Sequence, residues 1–325
     1  MKEQGSRSVS GRSSLYIRLF GTLMAIGLLA ILFLRQEGQS WKDVLIAIQQ
    51  IPVWRIIVAL GLMFISRIAV AGRWHALLHS ADSRISPWDT LRVTFAGLFA
   101  SNFLPTTVGG DVIRLAGAIQ LRFDAAISAA SLIVDRLVGM AGMAMMVPFG
   151  LPSFLAARDM ATNSFIYNRY LLGGVLPASL MKWATRLWNK AMKLFHRVIA
   201  ALSIWWKRPQ SLLQSLAFTW INMLGLFSVL YVLFQGMGED LPIWLIGGLY
   251  SIVYLITLLP FSINGYGIQE VSMTFIFSTV GGVSVSSALT AALIFRTLMM
   301  IASLPGAAFV PGLLAGARSQ PGIEK

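Results

Sequence analysis

The 325-residue chain contains no cysteine, and only 12% of its residues are charged. The absence of cysteine excludes disulfide frameworks, thiolate nucleophiles and zinc–thiolate sites. A soluble protein carries about 25% charged residues, so a chain of two or three soluble domains is excluded as well. Because 56% of the residues are hydrophobic, the composition predicts an integral membrane protein, all-α and polytopic.

Acidic residues are scarcer than basic ones, 13 against 26, which leaves a formal net charge of +13. The basic residues cluster beside apolar segments, so we expect them to face the cytoplasm and anionic lipid headgroups rather than nucleic acid. Seven of them, with no acid, fall in 182–208. Their helical spacing predicts an amphipathic helix over 182–206 that binds anionic inner-leaflet lipids, and a solvated loop helix is the alternative.

Eight apolar segments predict about six full spans and two re-entrant helical hairpins. Residues 1–14 are predicted to be a disordered cytoplasmic arm. Residues 15–34 are predicted to be an uncleaved first span, because no signal-peptidase site follows them. A second span is predicted over 53–72, joined to the first by a short loop, with the basic residues 73–92 returning to the cytoplasm. A strong span is predicted over 126–150, whereas 165–181 is barely long enough to cross. Further spans are predicted over 211–234 and about 284–305.

Two of the apolar segments are interrupted in the same way. The stretches LPTTVGGDVIR (104–114) and LPFSINGYGIQE (259–270) both open with Leu-Pro and continue with a hydroxyl residue and glycine at matching offsets. Each precedes a helix rich in small residues that contains an internal arginine, Arg136 or Arg296. The match predicts a duplication, with re-entrant segments at 88–113 and 241–270. The predicted hinge residues are Pro105, Gly109, Gly110, Pro260, Gly265 and Gly267.

If 165–181 crosses the membrane, the two halves run in opposite directions and form an inverted repeat, the arrangement of many transporters. The predicted repeats are 15–150 and 151–310, followed by a tail at 311–325. The two hairpins would then meet near the midplane, where the N-termini of half-helices favour an anionic group such as a phosphate. If 165–181 instead lies on the surface, the halves are parallel.

Six ionisable residues fall in or beside apolar stretches: Arg67, Asp111, Asp135, Arg136, Glu270 and Arg296. A charge at the centre of a span costs roughly 2.5–3.5 kcal/mol, so such residues are usually functional. We predict that a lipid headgroup is bound by Asp111, Arg114, Asp135, Arg136, Asn264, Glu270 and Arg296. The arginines would hold a phosphate, and Asp111 and Glu270 would hold an amine or a proton.

Structural alternatives exist for these charges. Asp111 and Arg114 fit the first turn of a helix, and Glu270 fits a helix cap. Asp135 and Arg136 are sequence neighbours that point in different directions, so each needs a partner elsewhere. Glu270 and Arg296 are available as these partners, and such an ion pair would hold the two repeats together.

No metal or cofactor is predicted. His75 and His79 are four residues apart, with Asp82 three further on, but the stretch is juxtamembrane and no second ligand cluster accompanies it. The sequence contains no Walker loop, no HExxH and no nucleophile elbow, so no enzymatic activity is predicted.

The stretches FLPTTVGGDVIR, LIVDRLVGM and LPFSINGYGIQE resemble the lysylphosphatidylglycerol synthase transmembrane region, a flippase-like family, and the resemblance extends over about residues 53–310. It implies movement of a lipid between leaflets, in some members an aminoacylated phosphatidylglycerol. The family's second motif usually has arginine before the glutamate, where this chain has Gln269. Some members carry a soluble synthase domain after the membrane part, whereas this sequence ends soon after its last predicted span.

The sequence therefore predicts a lipid translocase of the inner (plasma) membrane, without a synthase domain. It would move a phospholipid or a lipid-linked headgroup between leaflets by alternating access. Two alternatives remain. One is a membrane-embedded transferase with Asp111 or Glu270 as the base, and the other is a scaffold for a separate lipid-modifying enzyme.

Overall fold

The computed structural model describes residues 41–80, 85–103, 109–165, 209–258 and 264–313, with the side chains of 154–165 left aside. In this part of the chain the regular secondary structure is helical. The helices are α1 Trp41–Gln50, α2 Val53–Ser80, α3 Pro87–Phe103, α4 Gly109–Gln120, α5 Ala125–Phe165, α6 Pro209–Gly236, α7 Ile243–Thr257, α8 Ile268–Thr279, α9 Val285–Ser303 and a 3₁₀ helix Leu304–Ala308.

Several predicted features lie outside the described residues. These are the arm at 1–14, the first span at 15–34, the weak span at 165–181, the amphipathic helix at 182–206, the hinge prolines Pro105 and Pro260, and most of the tail.

Four stretches within the described helices are long and apolar enough to cross a membrane: Val53–His79, Ala125–Ser153, Gln210–Gly236 and Val285–Ala308. The outward surface of α2 is apolar, with Val53, Ile57 and Ile65 exposed, whereas charged groups such as Asp135 are buried in the interior. Large apolar side chains on the surface, together with charged groups buried inside, are unusual for a soluble protein and suit a lipid environment. The prediction of an all-α, multi-pass membrane protein is thereby confirmed.

Three helix bounds differ from the sequence predictions. Residues 41–50 form α1, where a loop was predicted between the first two spans. Helix α2 does not end at residue 72 but continues to Ser80, because Arg73 is buried and ion-paired rather than exposed in a loop. Helix α5 continues through Pro148 and Pro152 to Phe165, so the predicted repeat boundary at residue 150 falls inside a helix.

Each interruption is flanked by two short helices that pack on each other, α3 with α4 and α7 with α8. Helices α4 and α8 have 12 residues each. At 1.5 Å per residue they are about 18 Å long, well short of the roughly 30 Å hydrocarbon core.

The order of helices recurs in the two halves: long, short, short, long, in α2–α5 and again in α6–α9. The acids recur as well, because Asp111 and Glu270 are both the third residue of a 12-residue helix. Arg136 and Arg296 are both the twelfth residue of the long helix that follows. The correspondence seen in the interrupted motifs therefore extends to the helices around them.

The leading helices of the two halves, α2 and α6, pack against each other in opposite directions. Gly236, at the end of α6, lies against the Arg55 side chain near the start of α2. In the middle, the Ser66 hydroxyl donates to Asn222 Oδ1 at 2.7 Å. Because residue numbers rise along α2 as they fall along α6, the two helices are antiparallel.

Candidate functional site

A cavity of about 640 Å³ lies where the two halves meet, lined by residues of α2 to α9. Its volume is within the roughly 300–1,000 Å³ of small-molecule sites. Five arginines and two aspartates line it: Arg67, Arg73, Arg114, Arg136, Arg296, Asp111 and Asp135. So many charges in the interior of an apolar helix bundle indicate a functional site rather than a packing core.

Asp135 forms the centre of the charge network in the first half. Its side chain is 2% exposed. Arg73 Nε donates to its Oδ1 at 2.6 Å, and Arg114 Nη1 donates to its Oδ2 at 3.1 Å. The Arg114 guanidinium also lies over the Trp74 ring, 4.4 Å from its centre. One buried carboxylate therefore positions two arginines that reach it from α2 and α4.

Asp111 joins the start of α4 to α5. Arg136 Nε donates to Asp111 Oδ2 at 2.6 Å, while Arg114 Nη1 lies 3.8 Å from Oδ1. The Arg136 side chain is 53% exposed, so this pair remains accessible where the Asp135 pairs are not. The helix-start pairing of Asp111 with Arg114, predicted as a structural alternative, is present together with the pairing to α5.

Glu270 and Arg296 form the corresponding pair of the second half, with Arg296 Nε donating to Glu270 Oε1 at 2.6 Å. The other carboxylate oxygen accepts from the Gly267 backbone N–H at 2.7 Å. Gly267 has φ of +78°, which a residue with a Cβ adopts only with strain. The capping role predicted as an alternative for Glu270 is therefore present.

Arg296 also fastens the turn before α8. Its Nη1 and Nη2 donate to the carbonyl oxygens of Asn264 and Gly265 at 3.4 and 3.2 Å. Its guanidinium lies 4.7 Å from the centre of the Tyr266 ring. Two N–H groups of Arg296 thus bind this turn and a third binds Glu270.

The residues beside the two interruptions contact each other. Asn264 Nδ2 donates to Asn102 Oδ1 at 3.3 Å, and the Tyr266 hydroxyl donates to the Asn102 carbonyl at 2.6 Å. Asn102 in turn donates to Ser303 Oγ at 3.0 Å. The end of α3 and the turn before α8 are therefore adjacent, one from each half.

Several N–H donors of the cavity residues are buried and have no hydrogen-bond partner within the described part of the chain. They are Arg67 Nε, Arg114 Nε and Nη2, and Gln269 Nε2. Arg114 and Gln269 are each only 7% exposed. Since buried donors are normally satisfied, this arrangement suits a ligand that offers oxygen acceptors.

Six of the seven predicted headgroup residues line the cavity: Asp111, Arg114, Asp135, Arg136, Asn264 and Arg296. Glu270 does not line it but contacts Arg296. Of the predicted hinges, Gly110 and Gly265 line the cavity, Gly109 begins α4, and Gly267 precedes α8.

The predicted ion pair between the repeats is wrong. Glu270 and Arg296, the partners suggested for Asp135 and Arg136, pair with each other. Asp135 and Arg136 find their partners within their own half. The prediction failed because helices that are neighbours in the sequence pack against each other within each half. Their charged side chains are therefore the ones that come within ion-pair distance.

Sequence reasoning missed part of the cavity. Arg73 was assigned to a loop, yet Arg67, Val70 and Arg73 follow a spacing of three that places them on one face of α2. Tyr250 and Tyr254, four apart on the apolar helix α7, line the cavity from the second half. Helical spacing of polar residues within apolar runs was the signal that could have found them.

The two histidines noted in the sequence contact each other, whereas Asp82 lies outside the described residues. His75 stacks on His79, with ring centres 5.9 Å apart, and its Nδ1 lies 3.2 Å from Thr90 Oγ1. Among the described residues no three His, Asp or Glu side chains come together as metal ligands would.

Comparison with known proteins gives two matches. Residues 19–306 match the model of the family described as Lysylphosphatidylglycerol synthase TM region. A UPF0104 membrane protein of Archaeoglobus fulgidus is 21% identical over 290 residues, which cover 80% of this chain and 86% of that protein. The family match contains both interrupted motifs and the arginine-bearing helix after each of them.

Proposed function

The chain belongs to the lysylphosphatidylglycerol synthase transmembrane-region family, and on that premise we propose that it is a lipid translocase. It moves a phospholipid or lipid-linked headgroup between the leaflets of the plasma membrane by alternating access, without reaction on the lipid. The observation that carries this proposal is the arginine-lined cavity between the two halves.

The charges of the cavity suit a phosphate. Arginine binds phosphate oxygens through paired N–H groups, and it is the residue most often used for that purpose in buried sites. Arg136 is half exposed, which suits first contact with a headgroup. Arg114 lies deeper, and its Nε and Nη2 have no hydrogen-bond partner among the described residues. An apolar acyl chain would stay outside, against the exposed hydrophobic residues of the helices.

The arrangement of the halves suits alternating access. The antiparallel packing of α2 on α6 supports an inverted repeat, because corresponding helices then run in opposite directions. We propose that the pairs α3–α4 and α7–α8 are re-entrant hairpins from opposite faces. Two observations support this: α4 and α8 are only about 18 Å long, and Asn102 at the end of α3 contacts Asn264 in the turn before α8. Rocking of one half against the other would open the cavity to each leaflet in turn.

The proposal is tested by reconstituting the purified protein in liposomes and measuring translocation of fluorescent phospholipids. Arg136→Ala is expected to lower the rate roughly tenfold or more while expression is kept, because its half-exposed side chain contributes little to folding. Arg296→Ala is expected to lose transport as well. Undiminished transport in both variants would contradict the proposal.

Arg92→Ala is the matched control. Its side chain is 48% exposed, lies over the Trp88 and Phe309 rings and does not line the cavity. Transport by this variant should equal that of the unmodified protein. The control therefore distinguishes the effect of removing a cavity arginine from the effect of removing an arginine elsewhere.

A further inference from the structure

We propose that the translocated lipid carries a headgroup with two negative charges and no amine, as in a phosphate monoester or a pyrophosphate. This inference rests on the proposed function and names the substrate class of the same cavity. It departs from the aminoacylated lipid that the family resemblance implies and from the amine-binding roles predicted for Asp111 and Glu270.

The acids of the site are already neutralised by arginines. Both oxygens of Asp135 accept from arginine, and Glu270 accepts from Arg296 and from the Gly267 backbone. Asp111 pairs with Arg136 and lies near Arg114. Within the described residues, each carboxylate at the cavity therefore already has an arginine partner, and a headgroup amine would have to compete with that arginine.

The remaining charge is positive. Five arginines line the cavity, and the acids that pair with them are Asp111, Asp135 and Glu270. Five positive charges against three negative ones leave a surplus of two among the described residues. The interruptions at 104–108 and 259–263 contain no charged residue, so their sequences do not change this balance. A dianion balances the surplus, whereas a zwitterion leaves it in place.

The free hydrogen-bonding groups favour the same ligand. Arg67, Arg114 and Gln269 present unpartnered N–H donors from α2, α4 and α8, so both halves contribute. A phosphate monoester offers three terminal oxygens as strong acceptors, and its second pKa of about 6 makes it dianionic at pH 8. A phosphodiester offers two such oxygens and one charge.

An amine-bearing headgroup would be disfavoured for the corresponding reason. Its ammonium would enter a region where arginines exceed acids, and its N–H groups would meet other donors. Like charges brought together in a poorly solvated site repel each other and weaken binding of the wrong partner. The site therefore selects against phosphatidylethanolamine and aminoacylated lipids as well as for a dianion.

Competitive lipid binding to the full-length protein in detergent at pH 8 tests the inference, with native mass spectrometry as the readout. The probes are phosphatidic acid, phosphatidylglycerol, phosphatidylethanolamine and lysylphosphatidylglycerol with identical acyl chains. Phosphatidic acid is expected to bind most tightly, about tenfold or more ahead of phosphatidylethanolamine. Equal or tighter binding of either amine-bearing lipid would overturn the inference.

Inorganic phosphate provides the arm that separates a lipid headgroup from free phosphate. A short-chain phosphatidic acid should bind at least about tenfold more tightly than inorganic phosphate, because its glycerol and acyl groups add contacts. Equal affinities would assign the cavity to free phosphate and overturn the lipid assignment.

Gln269→Glu places an acid among the free donors at nearly constant size. It is expected to weaken phosphatidic acid binding by about tenfold or more and to strengthen binding of phosphatidylethanolamine. Gln214→Glu adds the same charge at an exposed position outside the cavity and should leave the binding of both lipids unchanged. If Gln269→Glu binds phosphatidic acid and phosphatidylethanolamine with the same ratio of affinities as the unmodified protein, the inference is contradicted.

Arg67→Gln is the second variant, and it lowers the positive surplus to one. Arg67 contacts the Met63 sulfur at 3.3 Å and pairs with no acid among the described residues, so its loss strands no carboxylate there. The preference for phosphatidic acid over phosphatidylglycerol should fall, and an unchanged preference would contradict the charge argument.

Transport assays distinguish the two proposals. Selective binding of phosphatidic acid without translocation of any lipid would overturn the proposed function and leave the charge selectivity standing. Translocation of phosphatidylethanolamine at the rate of phosphatidic acid would overturn this inference alone.

Discussion

Among single residues, Asp135 is the one on which most of the buried charge depends. It is one carboxylate shared by two arginines, and each of them would otherwise stand in the interior with fewer partners. Burying an ion costs several kcal/mol unless its partners repay that cost. The role of Asp135 is therefore to hold Arg73 and Arg114 in place at the cavity wall.

Asp135→Ala is expected to lower the free energy of unfolding by about 3–5 kcal/mol, because it leaves two buried arginines without their shared carboxylate. Thermal unfolding of the purified protein in detergent measures this. Asp89→Ala is the control, since Asp89 and Arg92 form an exposed pair at 4.0 Å, of a kind worth about 0–1 kcal/mol. Equal losses of unfolding free energy in the two variants would contradict the role assigned to Asp135.

The sequence identified Asp135 and Arg136 because ionisable groups in apolar runs are rare and costly. Their partners could not be read from it, since local spacing contains no information on which helices meet. Arg73 was missed for a related reason. An arginine near the end of an apolar run looks like the end of a span, and only its contact with Asp135 shows that it is interior.

Among the elements, the pair α3–α4 depends on a close approach between backbones. Gly110 lies against Ser101 and the Gly97 carbonyl, and all three residues line the cavity. A Cβ on Gly110 would lie 2.5 Å from that carbonyl oxygen, a distance that real Cβ atoms do not adopt. The predicted hinge glycine therefore has a packing role in the described structure.

Gly110→Ala is expected to separate α3 from α4 and to destabilise the protein by about 1–3 kcal/mol through overpacking, with loss of transport. Gly61→Ala is the matched control, because a Cβ there meets nothing within 4 Å. The control should be neutral, or more stable by up to about 1 kcal/mol from helix propensity. Thermal unfolding and liposome transport of both variants measure the difference, and a Gly110→Ala protein as stable as Gly61→Ala would refute the packing role.

Hydropathy predicted that the long helices exist, but it did not predict where several of them end. The apolar runs predicted the long helices near 53–72, 126–150 and 211–234, which the structure contains within α2, α5 and α6. The ends of α2 and α5 were missed because tertiary pairing and packing extend helices past the point where hydropathy falls. Helix α1 was missed because it is short and follows a polar stretch.

At the scale of the whole molecule, the two halves share an architecture but differ in accessibility. The pair Asp111–Arg136 is partly exposed, whereas both members of Glu270–Arg296 are 8% exposed. The sequence repeat predicted this correspondence of positions. It could not predict the difference, which arises from the turn that Arg296 fastens in the second half.

The inverted arrangement that we propose predicts the sidedness of three loops. Single cysteines introduced at Ser83, Ser203 and Gly238 in this cysteine-free chain should differ in their reaction with an impermeant maleimide. Only Gly238, exposed in the turn after α6, should react in intact cells, because the basic segments around 83 and 203 are predicted to be cytoplasmic. All three should react after permeabilisation, and labelling of Ser203 in intact cells would refute the inverted arrangement. Ser83 and Ser203 lie outside the described residues.

The contrast in helix length connects the protein to the thickness of its bilayer. The 27-residue apolar stretch of α2 is about 40 Å long, whereas α4 and α8 reach about 18 Å. A thin bilayer would be matched by tilting the long helices, and a thick one by bringing them upright. Helices α4 and α8 are shorter than the hydrocarbon core is thick, and they pack against the longer helices α5 and α9. Membrane thickness would thus act on the spacing of the cavity arginines through hydrophobic mismatch, without any ligand.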